Sequence, residues 1–234
     1  MDLKDKKILI TGGDGFLGTH IRRILNNYGA IVFSTDTKNS ASSSALEITD
    51  INDINRYVDE FYKSNGQLDG LVNNAAVSYK GNDGKIIGNI NKTMNVNICG
   101  TNNCLTCFDK ILAENASVVN VASIYGMLSP NFKIYYGNEE LYNSVAYGAS
   151  KAAIIQMTKY YAALWAPRRV NTVSPGGIFQ GHADKFSDNY SDLVPLKRMA
   201  KPEEIVNAIV FLLSPMSSYI TGHNLVVDGG LSVW

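Results

Sequence analysis

Strand-like and helix-like segments alternate along this chain, and that alternation restricts the fold more than any other feature. Short apolar or β-branched runs occur at Lys7–Thr11, Ala30–Thr35, Leu68–Asn73, Ser117–Ala122, Arg169–Val173 and Leu225–Val227. Between them lie segments with helical spacing at Gly15–Tyr28, Ile54–Phe61, Ile90–Leu112, Tyr147–Trp165 and Glu203–Leu213. In the first of these, Phe16, Leu17, Ile21, Ile24 and Leu25 share one face. Strands joined through helices pair in parallel with right-handed crossovers. The expected architecture is α/β: a doubly wound parallel sheet with helices on both faces. A Ser/Asn-rich stretch, Lys38–Ser44, reads as a loop. No repeat or linker divides the chain, so residues 1–234 are expected to form a single domain.

The charge balance narrows the range of partners. Lys+Arg and Asp+Glu stand at 21 each, so no basic field addresses nucleic acid or an anionic membrane. Apolar residues make up 45% of the chain, yet their runs are strand-length and interrupted, short of a membrane span. The charged N-terminus is followed by no apolar stretch of signal length, and a cytoplasmic location is the default expectation. The three cysteines, Cys99, Cys104 and Cys107, are spaced like part of an iron–sulfur loop, but that site needs a fourth thiolate. They are expected to pack in a helix, with no metal site.

The first strand runs into Thr11-Gly12-Gly13-Asp14-Gly15-Phe16-Leu17-Gly18 and then a helix. Glycines in that setting permit a tight turn, close approach of a pyrophosphate to the backbone, and close helix–sheet packing. The helix N-terminus offers unpaired N–H groups to phosphate. A nucleoside-triphosphate loop does not fit, because Thr19 and His20 follow Gly18 where a lysine is needed. The candidate cofactor contacts are Gly12, Asp14, Gly15, Phe16, Leu17 and Gly18 in a Rossmann fold. Asp36 closes the second strand about 20 residues on, where a carboxylate accepts from the 2′-hydroxyl of NAD and repels the 2′-phosphate of NADP. NAD is therefore expected ahead of NADP, with Lys38 the one feature that keeps NADP open.

Tyr147-Gly148-Ala149-Ser150-Lys151 places a phenol and an ammonium on one helical face. Ser123 ends one strand and Asn73-Asn74-Ala75-Ala76 ends another. Ligands of open α/β sheets bind at those carboxyl ends, so the polar groups should converge.

Taken with Asn97, Ser174-Pro175-Gly176, Pro195-Leu196-Lys197-Arg198, Pro202-Glu203-Glu204 and Val227-Asp228-Gly229-Gly230, these motifs closely resemble the short-chain dehydrogenase/reductase family over nearly the whole chain. The resemblance implies that Tyr147 is the acid/base and that Lys151 lowers its pKa and holds the nicotinamide ribose. It implies that Ser123 polarises the substrate oxygen and that Asn97 holds a proton-relay water. A free tyrosine titrates near 10, so work near pH 7 asks for about 4 kcal/mol. An ammonium about 4–5 Å away supplies most of that. By the same resemblance Asp50 and Ile51 contact adenine, Asn74 and Ala75 wall the adenosine side, and Pro175, Gly176 and Ile178 cradle nicotinamide. The alternative for Asn97 is that it only caps or kinks its helix.

Three departures from the family pattern bear on substrate. The glycine loop reads T-G-x-x-G-x-x-G, the form of the longer branch that modifies sugar nucleotides. Asn-Asn-Ala-Gly has become Asn-Asn-Ala-Ala. The interval between Ser123 and Tyr147 is longer than usual in single-domain members, and the extra segment, Met127–Ala146, carries Phe132, Tyr135, Tyr136 and Tyr142 among polar residues. Aromatic faces beside polar tips suit a hydroxylated substrate, although a packed loop or a subunit contact fits equally well. Ser123-Ile124-Tyr125-Gly126 and the residues after it are similar to dehydrogenases of bacterial surface-sugar pathways, of the flagellin modification protein A type.

The leading expectation is an NAD(H)-dependent interconversion of secondary alcohol and ketone on a sugar or sugar-phosphate-like molecule. Reduction of a 3-oxoacyl thioester or small ketone is the second, and a non-catalytic dinucleotide sensor the third. Phe179–Leu193 is expected to be a mobile polar lid. Apolar residues on the two long helices and the tail Leu231–Trp234 point to a homotetramer, with a dimer second.

Overall fold

The computed structural model describes residues 2–79, 89–136 and 142–233. Residues 137–141 of the extra segment, and Trp234 of the apolar tail, lie outside the described residues. Seven parallel strands form one sheet in the order β3-β2-β1-β4-β5-β6-β7. They are β1 (Lys7–Thr11), β2 (Ile31–Asp36), β3 (Ser44–Ala45), β4 (Leu68–Asn73), β5 (Leu112–Val121), β6 (Arg169–Pro175) and β7 (Asn224–Val227). The order reverses between β1 and β4, and the carboxyl ends there open the crevice in which such sheets bind ligands.

Strand alternation sorts the core into two layers. Ile8 and Ile10 of β1 face one side with Val119 and Val121 of β5, and are covered by α1 (Phe16–Asn27) and α7 (Pro202–Leu213). Leu9 and Val118 face the other, beneath α2 (Ile51–Asn65), α4 (Thr101–Phe108) and α5 (Val145–Leu164). A third, smaller cluster lies beyond the sheet's carboxyl edge. It joins Ile124, Ile134 and Tyr135 to Phe186, Tyr190, Val194, Met199 and Leu231. Cys104 and Cys107 are buried in the second layer, where burial pushes both thiols above their ordinary value, and Cys99 is exposed.

Two expectations need correction. Ile90–Ile111 is helical without a break, as expected, but it is not a uniform α-helix and Leu112 already belongs to β5. It comprises α3 (Ile90–Met94), a π-helical turn at Asn95–Gly100, α4, and a 3-10 turn before β5. A Cβ on Gly100 would sit 2.7 Å from Ile48 Cδ1, so glycine lets this stretch pack closely on Ile48. Phe179–Leu193 is not a polar loop either, for Asp184–Leu193 forms α6. Phe186 and Tyr190, one helical turn apart, anchor it in the third cluster. No helix among the described residues is long and apolar enough to cross a membrane.

Candidate active site

A single cavity of about 810 Å³ runs along the carboxyl ends of the strands, a size suited to a small-molecule or cofactor site. Asp36, Thr37 and Glu47 line one end, and Ser123, Tyr147 and His182 line the other. Gly12, Gly15, Phe16 and Leu17 lie between them.

The glycine loop is shaped by close approaches. Gly12 has φ +67°, and a Cβ on it would lie 2.8 Å from Ala75 Cα. A Cβ on Gly18 would come 2.1 Å from the Gly12 carbonyl oxygen. Gly18 therefore serves the packing of α1 on the loop and does not itself line the cavity. Asn74 fixes the same turn: its amide donates to the carbonyls of Thr11 and Gly12 at 3.1 and 2.9 Å. No side chain caps the N-terminus of α1, whose first residues border the cavity. The uncapped N–H groups fit a pyrophosphate.

At the end of β2, Asp36 accepts from the N–H groups of Asp14 at 3.0 Å and Thr37 at 2.8 Å. Beside it, the buried hydroxyl of Thr35 lines the cavity without a partner among the described residues. Both features suit a ribose. Asp14 itself turns away from the cavity. Its carboxylate accepts from Ser43 at 2.7 Å, and hydrogen bonds from Ser40 and Ser43 hold it below its ordinary value. The expected adenine contacts also shift. Asp50 caps α2, accepting from Asn52 N–H at 2.9 Å, and neither it nor Ile51 lines the cavity. Glu47 and Ile48, just upstream, form that wall. An aspartate followed by helical spacing was the legible sign of a cap.

The chemistry end is built where β5 meets α5. The Ser144 hydroxyl caps α5 by accepting from Tyr147 N–H at 3.2 Å, which sets Tyr147 in the first turn and Lys151 in the next. A Cβ on Gly126 would lie 2.7 Å from the carbonyl carbon of Lys151, so only glycine lets the turn after Ser123 meet α5 this closely. Ser123 hydrogen-bonds the Tyr147 hydroxyl. The Lys151 ammonium lies 5.5 Å from the centre of the Tyr147 ring and donates to the Val121 carbonyl at 2.7 Å.

The electrostatics reverse the expected direction for Tyr147. Burial pushes its phenol above the ordinary value, with the Ser123 hydrogen bond opposing. Burial also pulls Lys151 down to about 8. Desolvation penalises each charged form and is the largest cause for both groups.

Asn97 is 1% exposed and does not line the cavity. Within the π-helical turn its side chain grips Val77, accepting from the N–H at 2.8 Å and donating to the carbonyl at 2.9 Å. It also donates to Ser150 Oγ at 2.9 Å, tying the wall after Asn74 to α5.

Pro175, Gly176 and Ile178 line the cavity as expected. Tyr190 of α6 supports them, its hydroxyl accepting from Gly177 N–H at 2.5 Å. Gly177–Phe179 pairs with Ala200, with N–H to carbonyl distances of 2.9 Å in both directions. Among the aromatics of the extra segment, Tyr135 is 3% exposed and lines the cavity, whereas its neighbour Tyr136 is 72% exposed and does not. Tyr125, from the run after Ser123, and Asn143, Gln180 and His182, none of these three singled out by motif, complete this end.

Comparison with known proteins agrees with this arrangement. A family model described as enoyl-(acyl carrier protein) reductase, of the short-chain dehydrogenase/reductase group, matches residues 26–232. The chain is 32% identical over 260 residues to the 3-oxoacyl-(acyl-carrier-protein) reductase FabG of Thermotoga maritima, covering 100% of both. It is 28% identical to the post-translational flagellin modification protein A of Campylobacter coli, covering 97% of this chain and 98% of that one. The crystal structure of a short-chain dehydrogenase from Leptospira borgpetersenii with bound NAD+ superposes with a TM-score of 0.87 at 30% identity, covering 99% of this chain and 94% of that one. The match takes in the sheet, its crossover helices and the turn that carries Tyr147 and Lys151, and the chain belongs to the short-chain dehydrogenase/reductase family.

Proposed function

We propose that this oxidoreductase interconverts a secondary alcohol and a ketone with NAD(H), on a sugar-like substrate. One observation carries the reading. Ser123, Tyr147 and Lys151 gather at one end of a continuous cavity whose other end is closed by Asp36. A bound nicotinamide dinucleotide supplies the hydride donor or acceptor. The chain's own residues bind, orient and move the proton.

In reduction the Tyr147 hydroxyl gives its proton to the carbonyl oxygen, and in oxidation it takes the proton back. Ser123 donates to the same oxygen and fixes its position. Lys151 holds the ribose at the chemistry end and stabilises the phenolate as it forms. Asn97 holds the wall at Val77, beside which a water can return the proton to solvent. Asp36 and Thr35 take the adenosine ribose, and the carboxylate disfavours the additional phosphate of NADP.

The identity to a 3-oxoacyl reductase favours a second reading, reduction of an acyl thioester. A screen following NADH absorbance separates the two, with free sugars, sugar phosphates, nucleotide sugars and oxoacyl thioesters as substrates. Turnover confined to the thioesters would overturn the sugar reading, and binding of NADH with no turnover would leave a sensor. A cytoplasmic homotetramer is the form in which we expect the enzyme to work.

A further inference from the structure

The wall opposite the glycine loop contains a pair of joined phenols that the proton transfer does not use. The hydroxyls of Tyr125 and Tyr135 hydrogen-bond to each other, and Asn143 hydrogen-bonds Tyr135. All three side chains line the cavity on the same side as Tyr147. Burial pushes both phenols above their ordinary value, so at neutral pH each keeps its proton. A pair of phenols holds two protons, and their mutual bond uses one. The other proton and the lone pairs remain for a ligand that both donates and accepts, which is what a hydroxyl group does.

Apart from Lys151, the described side chains at this end are neutral as well. His182 accepts from Gln180 N–H through Nδ1 at 3.3 Å, which leaves the proton on Nε2, and burial lowers its pKa. Lys151 is the only lysine or arginine among the described residues that line the cavity. Lys151 is engaged by the Val121 carbonyl beside the Tyr147 ring, so at the phenol pair a phosphate ester would meet phenols and amides with no other cation among the described lining residues. Lys185 sits 5.4 Å from the ring centre of Tyr136, which is itself outside the lining.

We infer that Tyr125, Tyr135 and Asn143 form a subsite for a second, uncharged hydroxyl of the substrate. The enzyme's natural substrate is then a neutral polyhydroxylated molecule, such as a free aldose or polyol, and not a sugar phosphate or an acyl thioester. The inference rests on the proposed alcohol–ketone activity and narrows its substrate class.

The test uses Tyr135→Phe, which keeps the ring in the third cluster and removes only the hydroxyl. The substrates are glucose, galactose, mannose and xylitol, the matching hexose 6-phosphates, and cyclohexanol as an alcohol with a single hydroxyl. The wild-type enzyme is expected to prefer the free sugars or xylitol over both other groups. Tyr135→Phe should lower the ratio of kcat/KM for the sugar over that for cyclohexanol on the order of tenfold, mainly through KM. Tyr125→Phe should act in the same direction, and the double variant should lose less than the product of the two, because the phenols act as one unit. An equal loss on sugar and cyclohexanol would overturn the subsite, as would wild-type preference for the hexose phosphates, while both leave the alcohol–ketone activity standing. Failure to oxidise any of these alcohols, or to reduce any ketone, would instead overturn the activity itself and the subsite with it.

Discussion

Lys151 is 4% exposed and its ammonium stands 2.7 Å from the carbonyl oxygen of Val121, a buried cation held by a main-chain oxygen with no carboxylate paired to it among the described residues. Its pKa of about 8 lies below the ordinary 10.5, so the folded chain releases this proton more readily than the unfolded chain does. The group therefore opposes folding below pH 8, and stability rises with pH between about 8 and 10.5, by about 3 kcal/mol in total. Lys151→Met should raise the Tm at pH 7 while abolishing turnover. The gap in Tm between variant and wild type should close as the pH approaches 10.5. A variant less stable than wild type at pH 7 would show that the ammonium holds the fold together.

Tyr147→Phe should bind NADH nearly as wild type does and lose about 10³-fold or more in kcat, since only the proton donor is removed. Because the phenol is raised, alcohol oxidation by the wild-type enzyme should gain rate with pH through the alkaline range, and ketone reduction should not. Stopped-flow turnover and fluorescence titration with NADH check the two halves separately.

Asp36→Ala should weaken NAD binding and narrow its advantage over NADP, through loss of a ribose acceptor and of a repelling charge. The variant also frees Asp14 N–H, so the glycine loop should loosen. Titration of wild type and variant with both dinucleotides is the measurement, and a wild-type preference for NADP would refute the assignment.

The Arg198 guanidinium forks onto Glu204, with contacts of 2.6 and 2.7 Å, and holds that carboxyl at about 2. A depressed carboxylate contributes stability above its unfolded pKa and loses it as the pH falls through the folded one. The contribution is thus present at pH 5 and fades toward pH 2. Both side chains are largely exposed, so the effect is small. Glu204→Gln should move the acid-unfolding midpoint to higher pH, followed by circular dichroism, and should raise KM for the dinucleotide because Ala200 pairs with Gly177–Phe179.

Val145, Tyr160 and Leu164 of α5 are exposed on the helix that carries Tyr147 and Lys151, and Tyr219 and Val233 are exposed elsewhere. A homotetramer would cover such a face. Light scattering of the wild type at micromolar concentration should give four chains, and Leu164→Glu should reduce the assembly. A monomeric wild type would refute this.

Period and motif carried most of this fold from sequence. β1 and β4 have the expected bounds, and the residues implied at the chemistry end, Ser123, Tyr147 and Lys151, do meet in space. What stayed hidden was set by tertiary contact. The π-helical turn around Asn97 depends on Val77, twenty residues upstream, and no local pattern reports it. The helix α6 looks polar because its apolar stripe is short, Phe186 and Tyr190 with Leu193 packed beside them, and it becomes legible once Tyr135 is known to face Phe186. Asp50 shows a further limit: the motif drew attention to it, while the cap it makes leaves Glu47 and Ile48 at the cavity.

The third cluster lies apart from the two layers that hold the sheet and the dinucleotide half of the cavity. It draws on separate stretches of chain, at Ile124–Tyr135, α6, Val194, Met199 and Leu231, and supplies Tyr135, Phe186, Tyr190 and Met199 to the chemistry end. Substitutions in this small core that spare Tyr190, which holds Gly177, can reshape substrate choice while Ser123, Tyr147 and Lys151 keep their places. Descendants of one ancestral enzyme could diverge in diet without relearning how to hold their coenzyme.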